Sequence, residues 1–303
     1  MCKVSVIIPT YKRSKAICRA VDSVLSQTLD SFEVIVVDDN GITSEEGKNT
    51  AREMEKYANN PNVIYIRHEV NKNGSAARNT GIRASKGEYI SFLDDDDKYC
   101  PCRLEKMSKK LDDVDDSWGA CYSGYVKHQV NGQKQYSNER NEGNLYKQTL
   151  MRSLYIGSGS NLFFRRKVIE DVGFFDESFK RNQDLEYLVR VMSRYKMTYV
   201  DEVLLEIFYD INRVELSLEE TKERENLFRS NFSRFVDLLD LKEQQEVRTM
   251  WDLDWMRILL ERKQMVDAFH IMRKIPFKVL LKYIIYIIDR SLTNTSYGFV
   301  VHL

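Results

Sequence analysis

The chain has 303 residues, with 46 Lys and Arg against 46 Asp and Glu, a formal net charge of zero. A balanced surface lacks the positive excess that displaces counterions from a phosphate backbone, so nonspecific nucleic-acid binding is excluded. A hydrophobic share of 43% and a charged share of 30% exclude intrinsic disorder.

The first hundred residues alternate strand and helix patterns. Val4–Ile8 is an almost wholly apolar run that ends in Pro9. Ser14 is placed to cap a helix carrying Ile17, Val21, Val24 and Leu25 on one face. Val34–Val37 is a second run, broken by Asp38-Asp39-Asn40-Gly41. A polar helix follows, with Ala51, Met54 and Ala58 turned inward. Val63–Ile66, the short helix Ala76–Ala84 and the run Tyr89–Leu93 complete a βαβαβαβ pattern. Continuous apolar strands are buried on both faces, so a parallel sheet covered by helices is expected. Ligands of such sheets bind beyond the carboxyl ends of the strands. Thr10 to Arg13, Asp38-Asp39 and Asp94 to Asp97 stand at those ends, so polar and acidic groups converge on one edge.

Residues 101–212 read as a mixed α+β half packed on that sheet. Arg103–Leu111 is a short helix, Gly119–Val130 alternates like an exposed strand, and Leu185, Leu188, Val189 and Met192 have helical spacing. From Ser217 onward the pattern is helical and charged. The last apolar element, Val279–Ile288, is expected to be a buried helix; lying on a membrane is the alternative, with Lys274, Lys278, Lys282 and Arg290 nearby. Its ten residues reach about 15 Å, half of a bilayer core. No run of eighteen apolar residues occurs, and Val4–Pro9 is too short for a signal peptide. The five cysteines form no CxxC pair, which fits a reducing compartment. Asn73, Asn231 and Asn294 head Asn-x-Ser/Thr matches that carry no meaning in a cytosolic chain.

Asp94-Asp95-Asp96-Asp97 is the sharpest chemical feature. Two carboxylates about 6 Å apart repel by roughly 3 kcal/mol at an effective dielectric near 20. After a buried strand, a hard divalent cation, Mg²⁺ or Mn²⁺, offsets that repulsion. Asp112, Asp113, Asp115 and Asp116 follow a surface helix instead and read as a solvated acidic face. Metals held by carboxylates at a sheet edge commonly bridge nucleotide phosphates. Neither GxxxxGK[ST] nor a GxGxxG after the first strand is present, which excludes a P-loop enzyme and a dinucleotide fold and leaves a nucleotide held by another cradle.

Val6–Arg13, Val36–Asn40, Asn73–Gly81 and Phe92–Asp97, continued by Gly157–Asn161, Gly173–Asp176 and Gln183–Glu186, resemble the successive signatures of family 2 glycosyltransferases. The resemblance covers about residues 1–215. It implies an α/β GT-A fold with a mostly parallel mixed sheet and a helical C-terminal extension: residues 1–100 bind the nucleotide-sugar, 101–215 bind the acceptor, and 216–303 form the extension.

The resemblance also implies an inverting, metal-dependent hexosyl- or N-acetylhexosaminyltransferase. It takes a UDP-sugar donor, a saccharide or lipid-linked oligosaccharide acceptor, and Mn²⁺ or Mg²⁺. Capsule, O-antigen or exopolysaccharide synthesis is the implied setting. The implied location is cytoplasmic, peripheral on the inner face of the plasma membrane through the C-terminal helices. Pro9, Tyr11, Arg13, Asp38, Asp39, Arg78, Asp94 and Asp95 fall at nucleotide-binding positions. Tyr11 stands where an aromatic packs on the base, and Asp39 where a carboxylate accepts from uracil. Asp96 matches the direct metal ligand, with Asp94 on the ribose or a metal water. Gly159, Ser160 and Gln183 fall at acceptor and donor-sugar positions, and Asp184 at that of the catalytic base. As the first residue of the Leu185–Met192 helix, Asp184 also suits an ordinary N-cap.

The chain departs from the family pattern twice. Gln183 replaces a common Glu, and Asn212 stands where many members carry a His near the metal. His68, His128, His270 and His302 lie outside every motif and read as surface or satisfied core residues. Two competing readings are a nucleotidyltransferase making nucleotide sugars, disfavoured by Pro9-Thr10-Tyr11 after the first strand, and a lapsed glycan- or nucleotide-binding module.

Overall fold

The computed structural model describes residues 2–179, 181–208 and 216–303. In chain order the elements begin β1 (Val4–Thr10), α1 (Ile17–Leu25), β2 (Phe32–Asp38), α2 (Glu45–Met54), β3 (Val63–Arg67), α3 (Gly74–Ala84) and β4 (Tyr89–Phe92). They continue with β5 (Lys98–Tyr99), α4 (Arg103–Asp112), β6 (Trp118–His128), β7 (Lys134–Ser137), α5 (Tyr146–Leu150), β8 (Phe163–Arg165), α6 (Arg166–Val172), α7 (Gln183–Met192) and β9 (Lys196–Phe208). The helices α8 (Leu218–Val236), α9 (Leu241–Glu261), α10 (Met265–Met272) and α11 (Phe277–Thr293) follow. Two compact units result: Met1–Asn144 with Ile156–Tyr209, and Leu145–Tyr155 with Asp210–Leu303.

In the first unit the strands run β7-β6-β8-β4-β1-β2-β3, with β9 beside β6 and β5 beside β9. β4, β1, β2 and β3 are mutually parallel, as their continuous apolar runs require. β8 enters antiparallel between β4 and β6, and β9 lies parallel to β6. Register brings Thr10 beside Asp38 and Ile7 beside Phe92. Leu93 then donates its N–H to the Ile7 carbonyl at 3.0 Å. The chain therefore leaves β1, β2 and β4 at one carboxyl edge, where Tyr11, Asp39 and Asp94 begin their turns.

Alternation divides the sheet's side chains. Val4, Val6 and Ile8 join Val34, Val36 and the buried faces of α1 and α4 in one cluster. Ile7 points the other way, toward α3. A Cβ on Gly81 would stand 2.4 Å from the Ile7 Cγ2 atom, so α3 reaches this depth only with glycine there. α1 is capped by Ala16 without a side-chain bond, so Ser14 does not serve as its cap. Gly47, Thr50 and Met54 form the buried face of α2, and Ala58 is exposed. β6 is buried over most of its length and not the exposed strand its alternation suggested. Its polar side chains find partners inside: Ser123 bonds Asn161, and the Tyr122 hydroxyl donates to the Asn141 carbonyl at 2.8 Å.

The second unit is helical. Ser217 and Glu220 close a reciprocal capping box at the start of α8. Trp251 is buried on α9, donates its indole N–H to the Leu150 carbonyl at 2.7 Å, and meets Phe228 edge-on at 5.2 Å. Arg152 and Arg229 both pair with Glu225, at 3.0 and 2.8 Å. α11 packs Val279, Tyr283 and Tyr286 inward while Leu281, Ile284, Ile285 and Ile288 are exposed. The buried-helix expectation for Val279–Ile288 therefore holds for one face only, because the apolar run is wide enough for two.

Candidate active site

The turn after β1 is organised by Asp95. Its carboxylate accepts from the Thr10 hydroxyl at 2.6 Å and the Tyr11 N–H at 3.3 Å, and pairs with the Arg13 guanidinium at 3.1 Å. Lys12 adopts a left-handed backbone, φ 58°, steadied by its N–H donating to Asn40 Oδ1 at 2.6 Å. These bonds present Tyr11 outward, 45% exposed, with the Lys12 ammonium 5.0 Å from the ring centroid. Arg13 also reaches Asp96, at 2.7 Å.

Asp38 and Asp39 have separate duties. Asp38 is buried and committed to the Asn40 amide groups and to the Tyr65 hydroxyl, which donates at 2.6 Å. Asp39 Oδ1 faces the His68 ring at 2.7 Å and accepts from the Lys72 N–H at 2.8 Å. Its Oδ2 accepts from the Asn71 amide at 2.8 Å and the Asn73 N–H at 2.9 Å. These four partners match the lone-pair positions of a carboxylate. Asp39 thus folds the 71–73 turn about itself, and a base N–H reaching it would compete with those donors. Asn73 in turn caps α3, accepting from Ser75 and Ala76.

Arg78 projects from α3 and donates to Asp94 at 2.8 Å. Gly159 stands against both Arg78 and Asp184: a Cβ there would be 3.8 Å from Arg78 Nη2 and from Asp184 Oδ2. Gln183 approaches Gly74, its Nε2 3.8 Å from the position of a Cβ. Asn182, not Asp184, occupies the cap position of α7 and makes no side-chain capping bond; the Asp184 carboxylate stands in the first turn, against the backbone N–H groups of Leu185 and of its own residue. Burial pushes the Asp184 carboxyl above the ordinary carboxylate range; Arg78 pulls it down and Asp94 pushes it up. Ser160 is fully buried and spans two site elements. Its hydroxyl accepts from the Asp94 N–H at 2.9 Å and donates to Asp97 at 2.6 Å.

A cleft of about 310 Å³ opens among these groups, the size class of a small-ligand site. Pro9, Tyr11, Arg13, Asp39, Arg78, Asp94 and Asp95 line it, together with Thr10, Asn71, Asn73, Gly74 and Ala77. Asp38, Asp96, Gly159, Ser160, Gln183 and Asp184 are not among the lining residues. Gly159, Gln183 and Asp184 gather beside Arg78 and Gly74, and Asp38 and Ser160 are support. Asn212 lies outside the described residues.

The acidic run is electrostatically loaded. Burial raises Asp96 to about 6, with Arg13 lowering and Asp95 raising it. Burial also raises Asp97, aided by Asp94 and opposed by the Ser160 hydroxyl. Among the described residues no three His, Cys, Asp or Glu side chains converge to form a metal centre. The Asp94 and Asp96 carboxylates nevertheless offer the hard oxygen donors that Mg²⁺ or Mn²⁺ prefers, each now facing an arginine, at 2.8 and 2.7 Å. The donor chemistry fits a cation completed by substrate phosphate and water.

Three supporting residues had no individual role assigned from the sequence. His68 is buried, as a satisfied core histidine would be, yet its partner is Asp39, and its Nε2 meets Thr80 at 2.9 Å. Asp97 ties Ser158 and Ser160 to the acidic turn. Arg103, fully buried, donates to Ser123, Asn161 and the Ser160 carbonyl. Only Asp97 carried a visible signal, its place in the aspartate run. In the second acidic cluster, Asp112, Asp113, Asp115 and Asp116 are all exposed, as expected of a solvated acidic face, and Asp112 also accepts from the Tyr89 hydroxyl at 2.5 Å.

Comparison with known proteins decides the family. The profile of Glycosyl transferase family 2 matches residues 5–173. The chain belongs to glycosyltransferase family 2. It is 28% identical over 201 residues to the glycosyltransferase YwdF of Bacillus subtilis (strain 168), covering 65% of this chain and 71% of that one. It is 27% identical over 231 residues to WcaA of Escherichia coli (strain K12), named for colanic acid biosynthesis, covering 71% of this chain and 75% of that one. Among solved structures, S. aureus TarS 1–349 in complex with UDP-GlcNAc superposes with a TM-score of 0.62 at 21% identity, covering 85% of this chain and 72% of that one. The mannosyltransferase PcManGT from Pyrobaculum calidifontis, in complex with GDP-Man and Mn²⁺, gives 0.54 at 18% identity, covering 77% and 64%. The fold is GT-A, as the strand order and the family expectation require.

Proposed function

We propose that this protein transfers a hexosyl or N-acetylhexosaminyl group, with inversion, from a UDP-sugar to a saccharide or lipid-linked oligosaccharide acceptor of a cell-surface polysaccharide. The observation that carries the reading is the cleft itself. An exposed Tyr11 ring, the turn held by Asp39, and two arginines line it, and Asp184 stands beside Gly159 near Arg78. The uridine base stacks on Tyr11 against the 71–73 turn, and Arg13 and Arg78 meet the diphosphate.

Asp184 takes the proton of the acceptor hydroxyl as that oxygen bonds to the anomeric carbon. On the opposite face the bond from that carbon to the diphosphate oxygen breaks, and UDP leaves with the electron pair. One protein carboxylate is enough, in contrast to the pair used in glycoside hydrolysis. Asp94 and Asp96 are the residues that would hold a divalent cation, whose chemistry at this place is neutralisation of diphosphate charge. The UDP and UDP-GlcNAc complexes of TarS and the Mn²⁺ complex of PcManGT support the donor class and the metal. WcaA, through its colanic acid name, supports a polysaccharide acceptor.

The test is to incubate the full chain with UDP-sugars and extracted lipid-linked saccharides plus Mn²⁺, and to follow UDP release and the anomeric configuration of the product by NMR. Inverted product supports the reading. Retained configuration, or transfer undiminished in Asp184→Asn, contradicts it.

A further inference from the structure

α11 is apolar on two opposite faces. One face, with Val279, Tyr283 and Tyr286, is buried. The other presents Phe277, Leu281, Ile284, Ile285, Ile288 and Leu292, all exposed, with Ile285 at 59% and Leu292 at 81%. At 100° per residue these six side chains fall within one stripe about 100° wide, and at 1.5 Å per residue they extend over about 22 Å. Exposed apolar rows of this length mark an interaction surface.

Charge says what the surface meets. Residues 262–303 carry seven Lys and Arg against two Asp and Glu, within a chain of net zero. Lys263, Arg273, Lys274, Lys278 and Lys282 are exposed and have no acidic partner among the described residues. Lys278 and Lys282 lie along one margin of the apolar stripe, and Lys274 stands just before the helix. Asp289, on the same margin, is engaged by the Tyr297 hydroxyl. Apolar side chains bordered by unpaired lysines match the two layers of an anionic lipid surface: acyl boundary below, phosphate above. Among the described residues no helix is long and apolar enough to cross a membrane. A second copy of the chain would bring the same lysine margins together with no acidic row to meet them.

We infer that α11 lies flat on an anionic lipid surface, its Phe277–Leu292 stripe in the acyl boundary and Lys274, Lys278 and Lys282 among the phosphates. The inference stands on the second unit alone and does not depend on the reaction proposed for the cleft.

The test is flotation of the full chain with phosphatidylcholine vesicles, with and without phosphatidylglycerol. Co-flotation is expected with the anionic vesicles and is expected to weaken with salt. The triple variant Leu281→Ser, Ile285→Ser, Ile288→Ser changes only exposed positions and is expected to lose binding more than about tenfold. Lys278→Gln with Lys282→Gln is an independent variant, expected to weaken binding about fivefold per lysine. Circular dichroism confirms that each variant is folded. Flotation with neither vesicle overturns the inference. So does equal flotation with both vesicles that is indifferent to the lysine changes. A lipid-blind chain that dimerises through these residues, shown by sedimentation of wild type and triple variant, overturns it in favour of a second copy.

Discussion

Arg78 Nη2 donates to Asp94 Oδ1 at 2.8 Å, joining the first turns of α3 to the acidic turn after β4. Arg78 is largely buried there, so its cation is held in place before any ligand arrives. An arriving diphosphate exchanges one anionic partner for another without moving the guanidinium far. Arg78→Ala is expected to weaken UDP binding about 10- to 100-fold, the loss of one charge-assisted contact. Arg78→Lys is expected to recover only part of this, since the fork geometry is lost. Calorimetric titration with UDP measures both.

Asp184 links rate to pH. Protonation removes its ability to accept from the acceptor hydroxyl, so activity falls as pH falls through its pKa. Because burial and Asp94 hold that pKa above the ordinary carboxylate value of about 4, the acidic limb of kcat/KM is expected above that value. A limb at or below pH 4 would contradict the assignment.

The same burial fixes the sign of a stability effect. A carboxyl whose folded pKa is raised favours the folded state when protonated, and that contribution is lost as pH rises through the folded value. Asp184→Asn removes the charge that burial disfavours. It is expected to lower kcat by about 10²- to 10⁴-fold while leaving Tm at neutral pH unchanged or higher. Thermal unfolding beside the rate assay checks both, and a lower Tm would show that the carboxylate is structural.

Ser160 joins Asp94 to Asp97 through one buried hydroxyl. Ser160→Ala leaves the Asp94 N–H and the Asp97 carboxylate each short of a partner, at a cost of about 1–3 kcal/mol. Denaturant unfolding should show a lower midpoint with an unchanged slope.

His68 tests the support of the base turn. His68→Ala deprives the buried Asp39 carboxylate of one of its four partners. UDP binding is expected to weaken severalfold, with kcat at saturating donor unchanged, which a KM-against-kcat comparison resolves.

The parallel half of the sheet was legible because its strands, buried on both faces, read as unbroken apolar runs that end in the polar turns of the site. Tyr11, Arg13 and the aspartates come together because parallel register leaves them at one edge, and Arg78 joins them from α3 through Asp94. β6 was misjudged because polar residues such as Ser123 suggest water, and only its tertiary partner Asn161 shows why they are buried. Asp184 looked like a cap because sequence places a helix start only to within a residue or two. His68 and Arg103 gave no periodic signal, since their meaning depends on partners 29 and 58 residues away, Asp39 and Asn161. α11 read as core because periodicity does not distinguish one buried stripe from two opposed ones.

The central claim is that the cleft holds a uridine diphosphate. Thermal unfolding of the full chain with UDP, GDP and TDP, each with and without Mn²⁺, tests it most directly. At a hundredfold excess over its dissociation constant a ligand stabilises the native state by about 2.7 kcal/mol, a rise of several degrees in Tm. The expected result is a rise with UDP that depends on Mn²⁺ and vanishes in Asp96→Ala. A folded protein whose Tm no nucleotide shifts, or a UDP shift that survives both Arg78→Ala and Tyr11→Ala, would contradict it.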